Sequence, residues 1–188
     1  ARAEAGFDMG DTLTPDATLS WRLTGKIRDA DAEYDHSRDD ETFLMGGLTW
    51  QPSAATSLSL VVDHLDRDGV PGGGGHPTGT DFDRERFFGE PDYNFRGTER
   101  TTVSVLMDHD FGTGLSASAR LRYSDTTSDF GYAYIASTPV DGSTIANRAF
   151  FGSDNALETL IGNAQLQYDT TLGSIGSRTV AGVEFGDR

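Results

Sequence analysis

The sequence contains no cysteine. That excludes disulfide cross-links and thiolate metal sites, and it fits exposure to an oxidising periplasm. It also lacks any run of about 18 apolar residues, so no helical membrane span is encoded. Basic residues are scarce: 15 Lys and Arg against 30 Asp and Glu give a net charge of −15. Nucleic acid is therefore not expected as a partner, because phosphate neutralisation needs a basic patch. The histidines His36, His64, His76 and His109 are scattered, and neither an H-x-x-x-H pair nor an H-E-x-x-H motif is formed for zinc. Gly72-Gly73-Gly74-Gly75 lacks the helix and the Lys-Ser/Thr of a phosphate loop and reads as a flexible apex. Asp66-Arg67-Asp68-Gly69 starts like a calcium loop, but the remaining ligands are missing. No catalytic constellation is present, so the chain is not read as an enzyme and no cofactor is expected. The start, Ala1-Arg2-Ala3-Glu4, has no leader peptide pattern, and both ends read as strands in progress. The expectation is a piece of a longer chain.

What the sequence does have is strict alternation. Leu19, Trp21, Leu23, Gly25 and Ile27 interleave with Ser20, Arg22, Thr24, Lys26 and Arg28. Leu115, Ala117, Ala119, Leu121 and Tyr123 interleave with Ser116, Ser118, Arg120, Arg122 and Ser124. Leu160, Gly162, Ala164, Leu166 and Tyr168 follow the same parity. Period two puts one set on each face of a strand. One face is charged and faces water, while the other is apolar and rich in small residues. Such strands suit an outer-membrane barrel, with lipid outside and a wet lumen inside. A mean hydropathy of −0.45 does not oppose this, since half of every strand is polar.

Eight strands are expected, at residues 1–8, 17–30, 41–50, 56–67, 98–110, 115–129, 157–169 and 178–187. Their connectors alternate. Gly10 to Asp16, Gln51-Pro52-Ser53, Phe111-Gly112-Thr113-Gly114 and Leu172 to Gly176 are short and turn-like. Asp31 to Asp40, Asp68 to Phe95 and Phe130 to Ala156 are long and polar. Short turns on one edge and long loops on the other are the arrangement of an outer-membrane barrel. Trp21, Trp50, Phe111 and Tyr168 cluster near the short turns, as an interfacial girdle does. The cations Arg22, Lys26, Arg28, Arg120 and Arg122 fall on the polar parity. Packing them into a closed eight-stranded interior would need many partner carboxylates, so a wide, filled barrel is expected.

The long connectors hold the candidate site. Phe130-Gly131-Tyr132-Ala133-Tyr134 opens the third. Flat rings there suit contact with an organic ligand, or equally an outer girdle at the headgroups. Phe82, Phe87, Phe88 and Tyr93 in the second connector pose the same choice. Asp35, Asp39, Asp40 and Glu41 crowd the first. They read as a solvated surface or as a patch for divalent-bridged contact with lipopolysaccharide. Two rival classes stand beside the filled-barrel reading: a passive substrate-selective porin and a soluble, acidic β-rich secreted module.

Leu19-Ser20-Trp21-Arg22-Leu23-Thr24-Gly25, Leu48-Thr49-Trp50-Gln51-Pro52-Ser53 and Phe87-Phe88-Gly89-Glu90-Pro91-Asp92-Tyr93-Asn94 resemble the TonB-dependent siderophore receptor family. Leu121-Arg122-Tyr123-Ser124 and Thr179 to Phe185 do so too, and the likeness is strongest to ferrichrome-type hydroxamate receptors. The resemblance implies an all-β, antiparallel transmembrane barrel of about 22 strands filled by a plug. This chain would be a partial barrel of about eight strands, spanning 1–188, without the plug or the closing strands. It implies a ferric siderophore as the transported ligand and energy from the TonB complex through an N-terminal segment outside the chain. Outer-membrane lipid and lipopolysaccharide would surround it. By position, Phe130 and Tyr132 match ligand-touching aromatics of the family. Tyr134 extends that set, and His76 is the remaining candidate in a Gly-rich second loop. The resemblance also assigns Arg22, Lys26, Arg28, Arg120 and Arg122 to the plug-facing lumen, where they would pair with plug carboxylates, the first expectation, or attract acidic ferric complexes down the lumen.

Overall fold

The computed structural model describes residues 1–72, 79–137 and 145–188. His76 and most of the Gly72–Gly75 apex lie outside the described residues. Among those described, eight strands form one antiparallel sheet in chain order. They are β1 (Arg2–Thr12), β2 (Leu19–Ala30), β3 (Arg38–Ser53), β4 (Thr56–Val70), β5 (Phe95–Gly112), β6 (Leu115–Ile135), β7 (Arg148–Leu172) and β8 (Ile175–Asp187). Each pairs only with its sequence neighbours.

Pairing transmits the parity of one strand to the next. Met9, Leu23, Gly46, Val62, Val103, Tyr123 and Leu160 form one continuous row across seven strands. One row nearer the short turns lie Trp21, Leu48, Leu60, Val105, Leu121, Gly162 and Phe185. Below that come Leu19, Trp50, Leu58, Met107, Ala119, Ala164 and Val183. The apolar face is therefore a band. On β6 it runs from Leu115 to Tyr123, about the nine residues that a tilted strand needs to cross a bilayer. The glycines in these rows make room for rings. The ring of Phe185 lies so close to Gly162 that a Cβ there would sit 2.4 Å from it.

The band has no protein partner. The only buried apolar residues among those described are Ala30 and Ala133, whereas Trp50, Leu166 and Tyr168 are about half exposed. A soluble sandwich would lay a second sheet on this face. None is present among the described residues. Trp50, Phe111 and Tyr168 are exposed at the turn end of the band, and Trp21 is half-buried on the same face. The girdle parity read from the sequence is thus the observed one.

Hairpin chemistry sets the short edge. Thr113 and Gly114 join β5 to β6 with φ of 55° and 84°. These are the positive dihedrals that a two-residue turn needs to match strand twist. At the other edge the strands run further than the sequence suggested. β6 reaches Ile135 instead of residue 129, and β7 starts at Arg148 instead of 157. The connectors shrink accordingly to 31–37, 71–94 and 136–147. Phe130, Tyr132 and Tyr134 are therefore strand residues of β6, not loop residues. The physical reason is that Gly131 and Ala133 continue the alternation with small side chains that pack at the sheet surface while every second position carries a ring.

The register has a direct test in the full-length protein. Leu23→Arg, on the apolar face, should cost about 2–4 kcal/mol at mid-band depth. Arg22→Leu should leave assembly intact. Heat-modifiable electrophoretic mobility of the two variants reports both. Exchanged outcomes would mean the register is off by one residue.

Candidate functional site

Above the band the polar face carries an aromatic wall. Phe130, Tyr132 and Tyr134 alternate along β6 in the same uninterrupted register as Arg120 and Arg122, so all five share the polar face. Phe151, opposite Tyr132 on β7, joins them. Tyr132 and Tyr134 stack with centroids 5.1 Å apart. Phe130 tilts against Tyr132 at 5.3 Å, and Phe151 meets Tyr132 at 6.1 Å. These rings could not form an outer girdle. They point away from the apolar face, and even the lowest lies roughly 23 Å along the strand beyond Tyr123 at about 3.3 Å per residue. On the other side of the same hairpin, Tyr93 packs edge-on against Phe95 and Phe150, at 5.8 and 5.0 Å. The hairpin is thus clad in rings on both faces. Phe151 was not singled out from sequence. Its signal, a ring at the matching parity of the facing strand, becomes readable only once the β6–β7 register is known.

The wall continues downward without charge. On β6 the polar-face residues below Phe130 are Ser128, Thr126 and Ser124; on β7 they are Ser153, Asn155, Leu157 and Thr159. The arrangement offers stacking surface and hydroxyl or amide hydrogen bonds, with no nucleophile–base pair. No group of three or more metal-ligating side chains occurs among the described residues.

The cations on the polar face are mostly neutralised within the sheet. Arg22 Nε donates to Asp8 Oδ1 at 2.8 Å, and Lys26 Nζ to Glu41 Oε1 at 2.8 Å. Arg28 reaches Asp39 at 2.8 Å and Glu41 at 3.3 Å. Arg120 holds Asp108 at 2.8 Å. These four already have carboxylate partners within the sheet. Of these pairs Arg28 and Glu41 stand directly opposite, and the others reach diagonally to the next strand. Arg122 is the exception of the five: its Nε donates to Ser104 at 3.2 Å, and it has no carboxylate partner among the described residues.

Asp39 is the hub of this network. It accepts from Arg28, from Arg67 at 2.9 and 3.1 Å, and from Arg96 at 3.0 Å. It lies five residues beyond Leu44 on β3, outside the membrane band. Burial pushes its carboxyl up; hydrogen bonds from Arg67 and the charges of Arg67, Arg28 and Arg96 outweigh that and hold it below its ordinary range. The crowded acids of the first connector are therefore not one patch. Asp39 and Glu41 take the polar face, Asp40 takes the opposite face beside Arg38 at 3.9 Å, and Asp35 stays in the connector. Their alternation along β3 separates them.

The negative excess sits instead on the apolar side, above the band. Asp66 faces Glu99, Asp125 faces Glu158 and Asp129 faces Asp154 across neighbouring strands.

The chain was compared with known proteins. No protein-family profile matches it. It is 28% identical over 195 residues to the ferrioxamine B receptor of Salmonella typhimurium (strain SL1344), covering 98% of this chain and 27% of that receptor. It is 28% identical over 189 residues to the ferrioxamine receptor of Yersinia enterocolitica, covering 96% and 26%. It is 25% identical over 211 residues to the ferrichrome outer membrane transporter/phage receptor of Escherichia coli (strain K12), covering 97% and 28%. The chain thus spans about a quarter of the length of the curated relatives it matches. Among solved structures, the closed form of the ferric-catecholate import receptor Fiu from E. coli K12 superposes with a TM-score of 0.85 at 18% identity, over 98% of this chain and 30% of that one. The ferripyoverdine receptor of Pseudomonas aeruginosa superposes at 0.86 with 15% identity, over 98% and 26%. At these identities the likeness is one of fold: the eight-stranded sheet superposes on part of each of these barrels.

Asp39→Asn in the full-length protein should lower stability by about 1–3 kcal/mol, the worth of hydrogen bonds to charged groups. Because folding lowers this carboxyl's pKa, its contribution is present above the unfolded value and is lost as pH falls through the folded one. Chemical unfolding at several pH values should show a constant gap between wild type and variant down to about pH 4, narrowing below it. A gap unchanged in acid would contradict the role of the ionised hub.

Proposed function

We propose that this chain, a stretch of the barrel wall of the TonB-dependent siderophore receptor family, serves to capture a ferric siderophore at its aromatic wall for import across the bacterial outer membrane. The observation that carries this reading is the placement of Phe130, Tyr132 and Tyr134, with Phe151, on the polar face above the band. In the barrel that face is the lumen, and the upper end is the extracellular mouth. The protein is a receptor and transporter, not an enzyme. The ferric complex is cargo: stacking on flat rings and hydrogen bonds to tyrosine hydroxyls hold its organic shell, and iron needs no protein ligand. His76, of the second connector, is a further proposed ligand-binding residue.

The partners follow from the two faces. The band meets lipid. The acidic rows above it, including Asp66, Glu99, Asp125 and Glu158, meet the lipopolysaccharide headgroups, with divalent cations bridging carboxylate and phosphate. On the lumen side Arg22, Lys26, Arg28 and Arg120 present ion pairs rather than free charge, so plug contact there rests on hydrogen bonding to the pairs, and Arg122 is the cation left for a plug carboxylate. Energy coupling is assigned to the TonB complex through a segment preceding this stretch in the family. Ferrioxamine B and ferrichrome, the ligands named for the similar receptors, are the first probes.

Each ring offers a large contact area with few rotors. Tyr132→Ala in the full-length receptor should weaken affinity about tenfold or more, as loss of about 1–2 kcal/mol requires. Barrel assembly should stay normal. Titration of ferrioxamine B and ferrichrome against wild type and variant decides the matter. Unchanged affinity with a lowered melting temperature would leave the rings as structural cladding only.

A further inference from the structure

The aromatic wall sits on a two-stranded extension. Beyond the last β5–β6 rung, Phe95 with Gly131, β6 has only β7 for a neighbour, and an isolated ribbon in water is marginal. Asn94 supplies the missing edge. It is 3% exposed, and Ala133 is fully buried. Its Oδ1 accepts from the backbone N–H of Ala133 at 2.8 Å and from that of Glu90 at 3.0 Å. Its Nδ2 donates to the Pro71 carbonyl at 3.4 Å.

The surrounding turn is built for this. The N–H groups of Tyr93 and Asn94 both donate to the Glu90 carbonyl, at 2.9 and 2.7 Å. Gly89 is in close contact with the amide: a Cβ there would lie 2.3 Å from Nδ2. From β7, Arg148 donates to the Gly89 carbonyl at 2.9 Å and to Glu90 Oε2 at 3.0 Å. Phe87 sets the edge of its ring against His36 of the first connector, with centroids 5.9 Å apart. One turn thus joins the first connector, the end of β4, β6 and β7.

Ala133 lies between Tyr132 and Tyr134. We infer that Asn94 is a positioning residue for ligand capture: by taking the Ala133 N–H it fixes the stretch of β6 backbone from which both tyrosine rings project. The job needs an acceptor with two free lone pairs and a donor on one short side chain, which an amide provides. Aspartate keeps the two acceptor bonds and loses the donor to Pro71.

This inference rests on the reading of the ring wall as the capture site, and the test separates the two. Affinity for ferrioxamine B is measured on the full-length receptor for wild type, Asn94→Ala, Asn94→Asp, Tyr132→Ala and the double variant Asn94→Ala/Tyr132→Ala. Asn94→Ala should lose about tenfold in affinity with barrel assembly unchanged. Asn94→Asp should lose affinity as well, because it sets a buried carboxylate oxygen against the Pro71 carbonyl in place of the donor. On the Tyr132→Ala background, Asn94→Ala should add little, because residues acting through one element are not additive. Wild-type affinity in Asn94→Ala, or losses that simply multiply in the double variant, would overturn the positioning role while leaving the capture reading in place. Tyr132→Ala without effect would overturn both. If Asn94→Ala fails to assemble, Arg148→Ala loosens the same turn from β7 and carries the same expectations.

Discussion

Everything in this sheet follows from an apolar face that no second layer covers among the described residues. Burial of apolar surface is the main force that holds an ordinary domain together, and here it operates between protein and lipid. Within the chain, cohesion comes from the strand ladders: in hydrocarbon each backbone N–H and C=O must be paired internally. That requirement explains the regularity of the band. The β5–β6 and β6–β7 registers run unbroken through it, and the two register shifts, between Trp50 and Ser53 and between Asp110 and Gly112, both lie at the short-turn edge. It also explains the small residues. With no second protein layer to fill, Gly46, Ala119, Gly162 and Ala164 need only admit neighbouring side chains, and Phe185 uses the space over Gly162.

The polar face obeys a different rule. A wet lumen tolerates charge, yet the cations reach carboxylates on the next strand, so the face pairs most of its charges across strands: Arg22 with Asp8 and Arg120 with Asp108 on diagonals, Arg178 with Asp169 directly opposite. Exposed pairs of this kind add little stability each. Their effect is local neutrality, which leaves few uncompensated charges for an incoming ligand to trade its hydration against. The negative excess is exported to the other face beyond the band. Like charges stand directly opposite there, an arrangement that is unfavourable unless cations gather between the strands.

How much of this was legible in the sequence depended on whether a pattern had contrast. Within the band, Trp21–Leu23 against Arg22–Thr24 has contrast of size and polarity, and face and register were readable. Above the band both faces are polar, and alternation loses its hydrophobic signal. That is why β7 looked as if it began at 157, nine residues short. The segment 130–134 kept a signal of another kind, rings alternating with Gly131 and Ala133, which reads as strand once size rather than polarity is followed. The acids at 35–41 looked like one patch because proximity in sequence hides a period of two. Asn94 had no signal at all. Its partners, Pro71, Glu90 and Ala133, are brought together only by the fold.

The strands lengthen along the chain, from 11 residues in β1 to 25 in β7, and relative to the row through Leu19 and Ala164 the increase falls at both edges. The result is a sheet whose membrane part is uniform and whose outer part rises towards β6 and β7. A rising two-stranded wall gains surface and loses neighbours to hold it. The rings on both of its faces and the turn at 87–94 answer that loss in different ways: Tyr93, Phe95 and Phe150 add apolar contact on the outer side, whereas Asn94 and Arg148 add directional bonds at the edge. Apolar contact alone would let the ribbon twist about its axis, since dispersion is indifferent to angle. Hydrogen bonds to a backbone N–H and a backbone carbonyl are not, so it is the polar turn that decides which way the tyrosines of the inner face point.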